Sequence, residues 1–267
     1  AHLSEESALV KKAMSFGAYV LVVNAPYSKL NDLTIRIIHA NQNIASEIAW
    51  VNIELRPLYS QGAKTIGFEI AEQLGWNAPD NIVQPVAAGL SLWQIYQGLQ
   101  EFHTFGVIGS LNTRMHAAQP EGCNTIIATG DKSEPFRVQP IRNPKSIAET
   151  LCVGDPANGQ QVIDTLKASK GSLVNASDLV IGEGMKLVNR YTNWNVGPVG
   201  GTVVAAARKL VAQQVINPYE LTVLVLTDSY KKGNAEIKGD KTGKKFILEP
   251  DREVIKKTLE QILAGAL

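Results

Sequence analysis

Asn81-Ile-Val-Gln-Pro-Val-Ala-Ala-Gly-Leu-Ser-Leu-Trp93 is the stretch whose reading decides the fold. Its first five residues read as a short strand with both faces covered, and the pattern from Ser91 to residue 102 reads as a helix holding Trp93 and Tyr96. Between them lies Pro85-Val-Ala-Ala-Gly-Leu-Ser91, a turn built from small side chains. Open α/β sheets bind ligands beyond the carboxyl ends of strands, where loops lead into helix N-termini. Small residues there let backbone N–H groups approach an anion, and the helix dipole favours one. A tight strand–helix turn with nothing bound satisfies the same pattern.

Outward from this stretch the alternation repeats. Towards the N-terminus it predicts a helix over 4–16 capped by Ser4, a strand over 18–23, a helix over 28–43, a strand over 48–53 and a helix over 63–74. Towards the C-terminus it predicts a strand over 104–109, a helix over 120–129, and helices over 158–170, 177–192 and 199–214. A strand over 221–226 and an amphipathic helix over 250–264 follow. The expected class is α/β, with mostly parallel twisted sheets and helices on both faces. The first helix and strand read as the middle of a βαβ series, so an N-terminal segment or a partner chain is expected to complete that sheet. Six lysines lie between Lys231 and Lys245, interrupted by glycines, which reads as a solvated loop or as a phosphate-binding arm.

Composition narrows the function. The 267 residues are 45% hydrophobic and 19% charged with a formal net charge of +1, which argues against a general nucleic-acid binder. No apolar run approaches the length needed to span a bilayer, and the expected location is cytoplasmic. Two cysteines make no disulfide framework, and the four histidines show no metal-ligand spacing, so no metal is expected.

Two further loops carry candidate chemistry. In Asn52-Ile-Glu-Leu-Arg-Pro-Leu-Tyr-Ser-Gln-Gly-Ala-Lys-Thr65, the cations Arg56 and Lys64 converge with Thr65 on a helix start, an environment suited to a phosphate or equally to solvated cations at a capped helix. The glycine spacing excludes a P-loop. At Leu226-Thr-Asp-Ser229 a hydroxyl at a strand end can hydrogen-bond a heteroaromatic nitrogen or form an ordinary turn. His116 and Cys123 stand outside any triad spacing and are expected to be packing residues.

Together these segments resemble the threonine synthases, pyridoxal-phosphate (PLP) enzymes of the tryptophan-synthase-β-like fold. The resemblance runs in order through 55–76, Pro79-Asp80, Pro85-Val86-Ala87-Ala88-Gly89, Ala118-Gln-Pro-Glu-Gly-Cys123, Asn143-Pro-Lys-Ser-Ile-Ala148 and Gly154-Asp-Pro-Ala-Asn-Gly159. It continues through Gly200-Gly201 to Thr227. It implies a fold-type-II PLP-enzyme architecture, with residues 1–50 as the remainder of a small α/β domain and 51–267 as the C-terminal part of the large domain. By the same resemblance Ala87, Ala88 and Gly89 cradle the PLP phosphate and Thr227 faces the pyridine nitrogen. Arg56 holds the phosphate of the substrate, with weaker roles for Asn52 and Lys64. The family reaction converts O-phospho-L-homoserine and water to L-threonine and phosphate. A homodimer, or a protein partner over the incomplete small domain, is expected, and a plastid location if the source is photosynthetic.

The departures are as specific as the matches. No lysine stands in the context of the family's Schiff-base lysine, so the catalytic residues are unassigned and the N-terminal segment that carries them is expected to be missing. Leu90 intrudes into the phosphate loop, Asp228 and Tyr230 follow Thr227, and Pro198-Val199 precede Gly200-Gly201. Two readings result. One is a threonine-synthase-type lyase impaired in this chain; the other is an inactive relative serving as a structural or regulatory subunit.

Overall fold

The computed structural model describes residues 8–25, 27–48, 60–229 and 241–266. The chain divides into two compact units, residues 1–51 with 232–267, and residues 52–231.

In the first unit, helix α1 (Ala8–Ser15) leads to strand β1 (Val20–Val23), then to α2 (Tyr27–Ala40) and α3 (Gln42–Glu47). The helix expected over 28–43 is therefore broken at Asn41, whose extended backbone ends one helix and starts the next. The strand expected over 48–53 lies outside the described residues except Ile48. Strand β8 (Lys245–Leu248) pairs in parallel with β1, from Val20↔Lys245 to Val23↔Leu248. This supplies the pairing that the sequence left open for β1. Helix α9 (Arg252–Leu263) follows, its first turn capped by the Asp251 carboxylate, which accepts from the amides of Glu253 and Val254. Ile37, Ile38, Ile44 and Ile255 form the core, with Val23 and Leu248 packed against it. The C-terminal stretch, expected to continue the large domain, thus clusters with the N-terminal residues, because the strand partner of β1 lies at the other end of the chain.

The second unit is a four-stranded parallel sheet in the order β6-β3-β2-β7. Its strands are β2 (Asn81–Pro85), β3 (Arg114–Pro120), β6 (Ser172–Ala176) and β7 (Thr222–Leu224). Side chains alternate strictly across it, as the twofold pleat requires. Ile82, Met115 and Ala117 face α5 (Leu90–Thr104) and α6 (Gly159–Ala168), joining Leu92, Ile95, Leu99, Val162 and Leu166 in the larger core. Val83, Ala118 and Val174 face the other way onto Val203, Ala206 and Leu210 of α8 (Pro198–Ala212). Helix α4 (Lys64–Gln73) packs outside α5, and α7 (Asp178–Thr192) against α8. Both helix pairs approach through glycine. A Cβ on Gly67 would lie 2.5 Å from the Ile95 carbonyl oxygen, and one on Gly184 would lie 2.4 Å from that of Gly201. Gly201, one of the paired glycines singled out in the sequence, is therefore a helix-packing residue: a Cβ on it would lie 2.4 Å from the Ile181 carbonyl oxygen.

Two sequence expectations are corrected here. Residues 104–109 are not a strand: α5 runs through Thr104 and turns at Gly106 with φ +70°. Residues 120–129 are not a helix, but a single 3₁₀ turn (Glu121–Cys123) followed by β4 (Ile126–Ala128), which pairs antiparallel with β5 (Phe136–Val138). The true strand, β3, is disguised by Arg114, His116 and Gln119. Their polarity is met largely from within the fold, although His116 Nδ1 is buried with no hydrogen-bond partner among the described residues. His116 Nε2 lies 3.0 Å from Asn81 Oδ1, and Asn81 Nδ2 donates to Glu220, which also pairs with Arg114. Gln119 donates to Thr125 and accepts from the Ile126 amide.

Candidate functional site

All four strands of the parallel sheet point their carboxyl ends to one edge, where the 86–90 loop follows β2 and Thr227 follows β7. One residue beyond β2, the Val86 amide still donates to the Ala118 carbonyl at 2.9 Å. The chain then leaves the sheet, and Gly89 starts α5 in the left-handed region at φ +97°, with no side chain capping the helix. The first amides of a helix have no intrahelical partner, so an uncapped start presents donors and the positive end of the dipole. The loop is held from behind. The Asn158 amide donates to the Ala88 carbonyl at 2.9 Å, and a Cβ on Gly89 would lie 2.5 Å from Val162 Cγ2. Both backbone sign and space therefore demand glycine. The result is a tight main-chain turn whose uncapped helix start leaves amide donors without a side-chain partner.

Two polar side chains missed by the sequence reading border this loop. Asn158 and Gln84 are buried, and Asn158 Oδ1 and Gln84 Oε1 have no hydrogen-bond partner among the described residues. Gln84 Nε2 donates to Ser91 Oγ at 2.8 Å, fixing the first turn of α5. The signal was present as a glutamine inside a fully buried strand and as the asparagine of the 154–159 motif.

Beside the loop runs the end of β7. The Val225 amide donates to the Val83 carbonyl at 3.1 Å, so the chain towards Thr227 continues next to β2. Thr227 is exposed. Asp228 turns its carboxylate onto the start of α8, accepting from the amides of Val199 at 2.9 Å and Gly200 at 2.8 Å. Gly197 and Gly200 make room for it; a Cβ on Gly197 would lie 2.2 Å from Asp228 Oδ2. Of these two helix starts, that of α8 is closed by a carboxylate from the chain itself, while that of α5 has no side-chain cap.

The remaining candidates lie elsewhere. Lys64 forms an ion pair with Glu101, with 12% of the lysine side chain exposed. Glu101 sits in the last turns of α5, about 18 Å along the helix from Gly89 at 1.5 Å per residue, so Lys64 is not brought to the 86–90 loop. Asn52 and Arg56 lie outside the described residues. His116 is fully buried, and burial with the nearby Arg114 charge pushes its pKa down to about 4. Burial raises the Cys123 thiol to about 12, helped by the adjacent Cys152. Among the described residues no group of His, Cys, Asp and Glu could hold a metal, and no helix is long and apolar enough to cross a membrane.

A parallel sheet covered on both faces by helices, with an uncapped helix start at its carboxyl edge, is an α/β architecture of the fold-type-II class. The chain belongs to the pyridoxal-phosphate dependent enzyme family, which matches residues 4–228. It is similar to the threonine synthase of Methanocaldococcus jannaschii, 28% identical across 94% of this chain and 60% of the relative. The threonine synthase of Methanosarcina acetivorans is 31% identical across 82% of this chain and 52% of the relative. The chain thus spans between half and about three fifths of the length of these curated relatives. Among solved structures, Escherichia coli threonine synthase superposes with a TM-score of 0.72 at 14% identity, covering 95% of this chain and 61% of that one. PLP-bound threonine synthase from Brucella melitensis gives 0.64 at 9% identity, covering 97% and 64%. At such identities these two structures establish the fold.

Proposed function

We propose that residues 87–90 hold the phosphate of PLP and that the chain serves threonine-synthase chemistry, the conversion of O-phospho-L-homoserine and water to L-threonine and phosphate. The observation that carries the cofactor half of this proposal is the uncapped start of α5, with Gly89 at φ +97° packed too tightly for any side chain. The residues present fit the group: main-chain donors and a helix dipole suit a phosphate, and the Thr227 hydroxyl at the neighbouring strand end suits a ring nitrogen. PLP, when bound, supplies an electron sink. The chain's own part is to orient it, with the amides of Ala87, Ala88, Gly89 and Leu90 on the phosphate. Arg56, with Asn52, takes the substrate phosphate in this proposal. Lys64, engaged by Glu101, has the weakest share.

A second reading, an inactive relative, is favoured by Asp228. Its carboxylate lies beside the ring-nitrogen residue and is bound into α8, while Ala87 and Ala88 offer no hydroxyl.

The test is a titration of the purified chain with PLP, with retention through gel filtration and competition by inorganic phosphate. One PLP per chain, displaced by phosphate, is expected; failure to retain PLP removes the proposal. Phosphate release from O-phospho-L-homoserine then separates the active from the inactive reading.

A further inference from the structure

Cys123 and Cys152 are far apart in sequence and meet behind the cofactor loop. Cys123 ends the 3₁₀ turn that follows β3 and is fully buried. Its Sγ lies 3.6 Å from the carbonyl oxygen of Val153, the residue next to Cys152. The segments are tied at a second point, where the Lys145 amide donates to the Gly122 carbonyl at 3.1 Å. Both thiols are free and each donates to main chain, Cys123 to the Val153 carbonyl and Cys152 to the Ala148 carbonyl at 3.8 Å, and each lies close enough to influence the titration of the other. Cys152 is the partly exposed member. It follows a second 3₁₀ turn (Glu149–Leu151) whose Leu151, with Ala148, packs against Val199 at the α8 start and Ala87 in the 86–90 loop.

We propose that Cys123 and Cys152 form a reversible thiol–disulfide pair that staples the 146–153 segment over the loop formed by residues 86–90. The oxidant is a small-molecule disulfide of the glutathione class. The Cys152 thiolate attacks one sulfur of that disulfide, forming a mixed disulfide and releasing one thiolate, which takes up a proton. Cys123 then loses its proton and attacks Cys152 Sγ, expelling the second small thiol. Two protein thiols are oxidised by two electrons and one small disulfide is reduced to two thiols. The order follows from access, since the reagent reaches the partly exposed Cys152 before the fully buried Cys123, which resolves the adduct. Burial raises both thiol pKa values, so the closure is slow near neutrality and accelerates with rising pH.

The consequence follows from the packing. With the bond closed, Leu151 and Ala148 are anchored to the end of β3, and the loop beneath them loses freedom. With it open, this lid-like turn is held by weaker contacts, chiefly the bonds of Ser146 Oγ and the Ile147 amide to Asp178. The formation of the pair does not depend on PLP binding; only its effect on residues 86–90 rests on the function proposed above.

The experiment equilibrates the whole chain in glutathione redox buffers of graded ratio, quenches with an alkylating reagent and measures intact mass and peptide maps. The expected result is a species lacking two hydrogens, unalkylated at both cysteines, with peptides carrying Cys123 and Cys152 linked within one chain. C123S and C152S, tested separately, each leave a glutathione adduct or a free thiol and no internal bond. A wild-type chain that accumulates only a mixed disulfide on Cys152, or only dimers linked between chains, overturns the proposal. Hydrogen exchange of oxidised against reduced protein then reads the coupling. Slower exchange across 146–153 and 86–90 is expected, and identical exchange in both states overturns the stapling.

Discussion

Replacing Asp228 by alanine strips the start of α8 of both acceptors at once. The carboxylate receives two main-chain hydrogen bonds, at 2.9 and 2.8 Å, from amides that have no helical partner. Loss of a helix cap costs about 1 kcal/mol in ordinary cases and about 2 where the site is demanding. This site is demanding because Val199, Gly200 and Gly201 are buried, so water cannot readily replace the lost acceptor. The charge also faces the positive end of the helix dipole, which overlaps with the hydrogen bonds and is not added in full. The expected loss for Asp228→Ala is about 2–3 kcal/mol. Asp228→Asn keeps one carbonyl oxygen, loses the charge and turns an amide nitrogen towards a donor, so about 1–2 kcal/mol is expected. Urea unfolding followed by far-UV circular dichroism reads the change. With a slope of about 2 kcal/mol/M, the midpoint of the transition for residues 52–231 falls by about 1 M for the alanine variant. An alanine variant within about 0.5 kcal/mol of wild type, or an asparagine variant as damaged as alanine, refutes the capping argument.

Three other outcomes follow from the same geometry. His116 has a folded pKa of about 4 against an ordinary 6.5, so the unfolded chain binds the proton more readily. Its stabilising contribution is complete above pH 6.5 and is lost as pH falls through about 4, by about 3 kcal/mol at most; denaturation at graded pH should show this slope, and a His116→Gln variant should flatten it. Gly184→Val places a side chain where even a Cβ is 2.4 Å from the Gly201 carbonyl, and a loss of about 1–3 kcal/mol or more is expected on thermal melting; an unchanged melting temperature contradicts the close α7–α8 packing. Gly89→Val violates both φ and space, so it should abolish PLP retention as well as lowering stability, and a variant that folds and still retains PLP removes Gly89 from the cradle.

The sequence carried the sheet's logic where strands were apolar and loops punctuated. The strand–turn–helix at 81–102 was legible because Ile82 and Val83 sit in a short run broken by Pro85 and Gly89, and the structure keeps those bounds within two residues. β3 was not legible, since buried polar partners such as Asn81 for His116 come from other strands and leave no local periodicity. The β1–β8 pairing was invisible for a related reason, because it joins opposite ends of the chain. At the site, Gly89 was found through its turn chemistry. Asp228 was noted as a departure, but its engagement with Val199 and Gly200 required tertiary geometry. Lys64 reads beside Thr65 as a phosphate ligand in the sequence, but its ion-pair partner Glu101 lies 37 residues on, in another helix, which local sequence cannot reveal.

The central claim is that the amides of residues 87–90 receive the cofactor phosphate. Amide chemical shifts of the isotopically labelled chain during addition of PLP, and separately of inorganic phosphate, test it most directly. The account predicts that the largest saturating shifts fall on Ala87, Ala88, Gly89 and Leu90 with both ligands, while Val199 and Gly200, already bound to Asp228, move little. Saturating shifts centred on the α8 start, or none at the 87–90 amides, would contradict it.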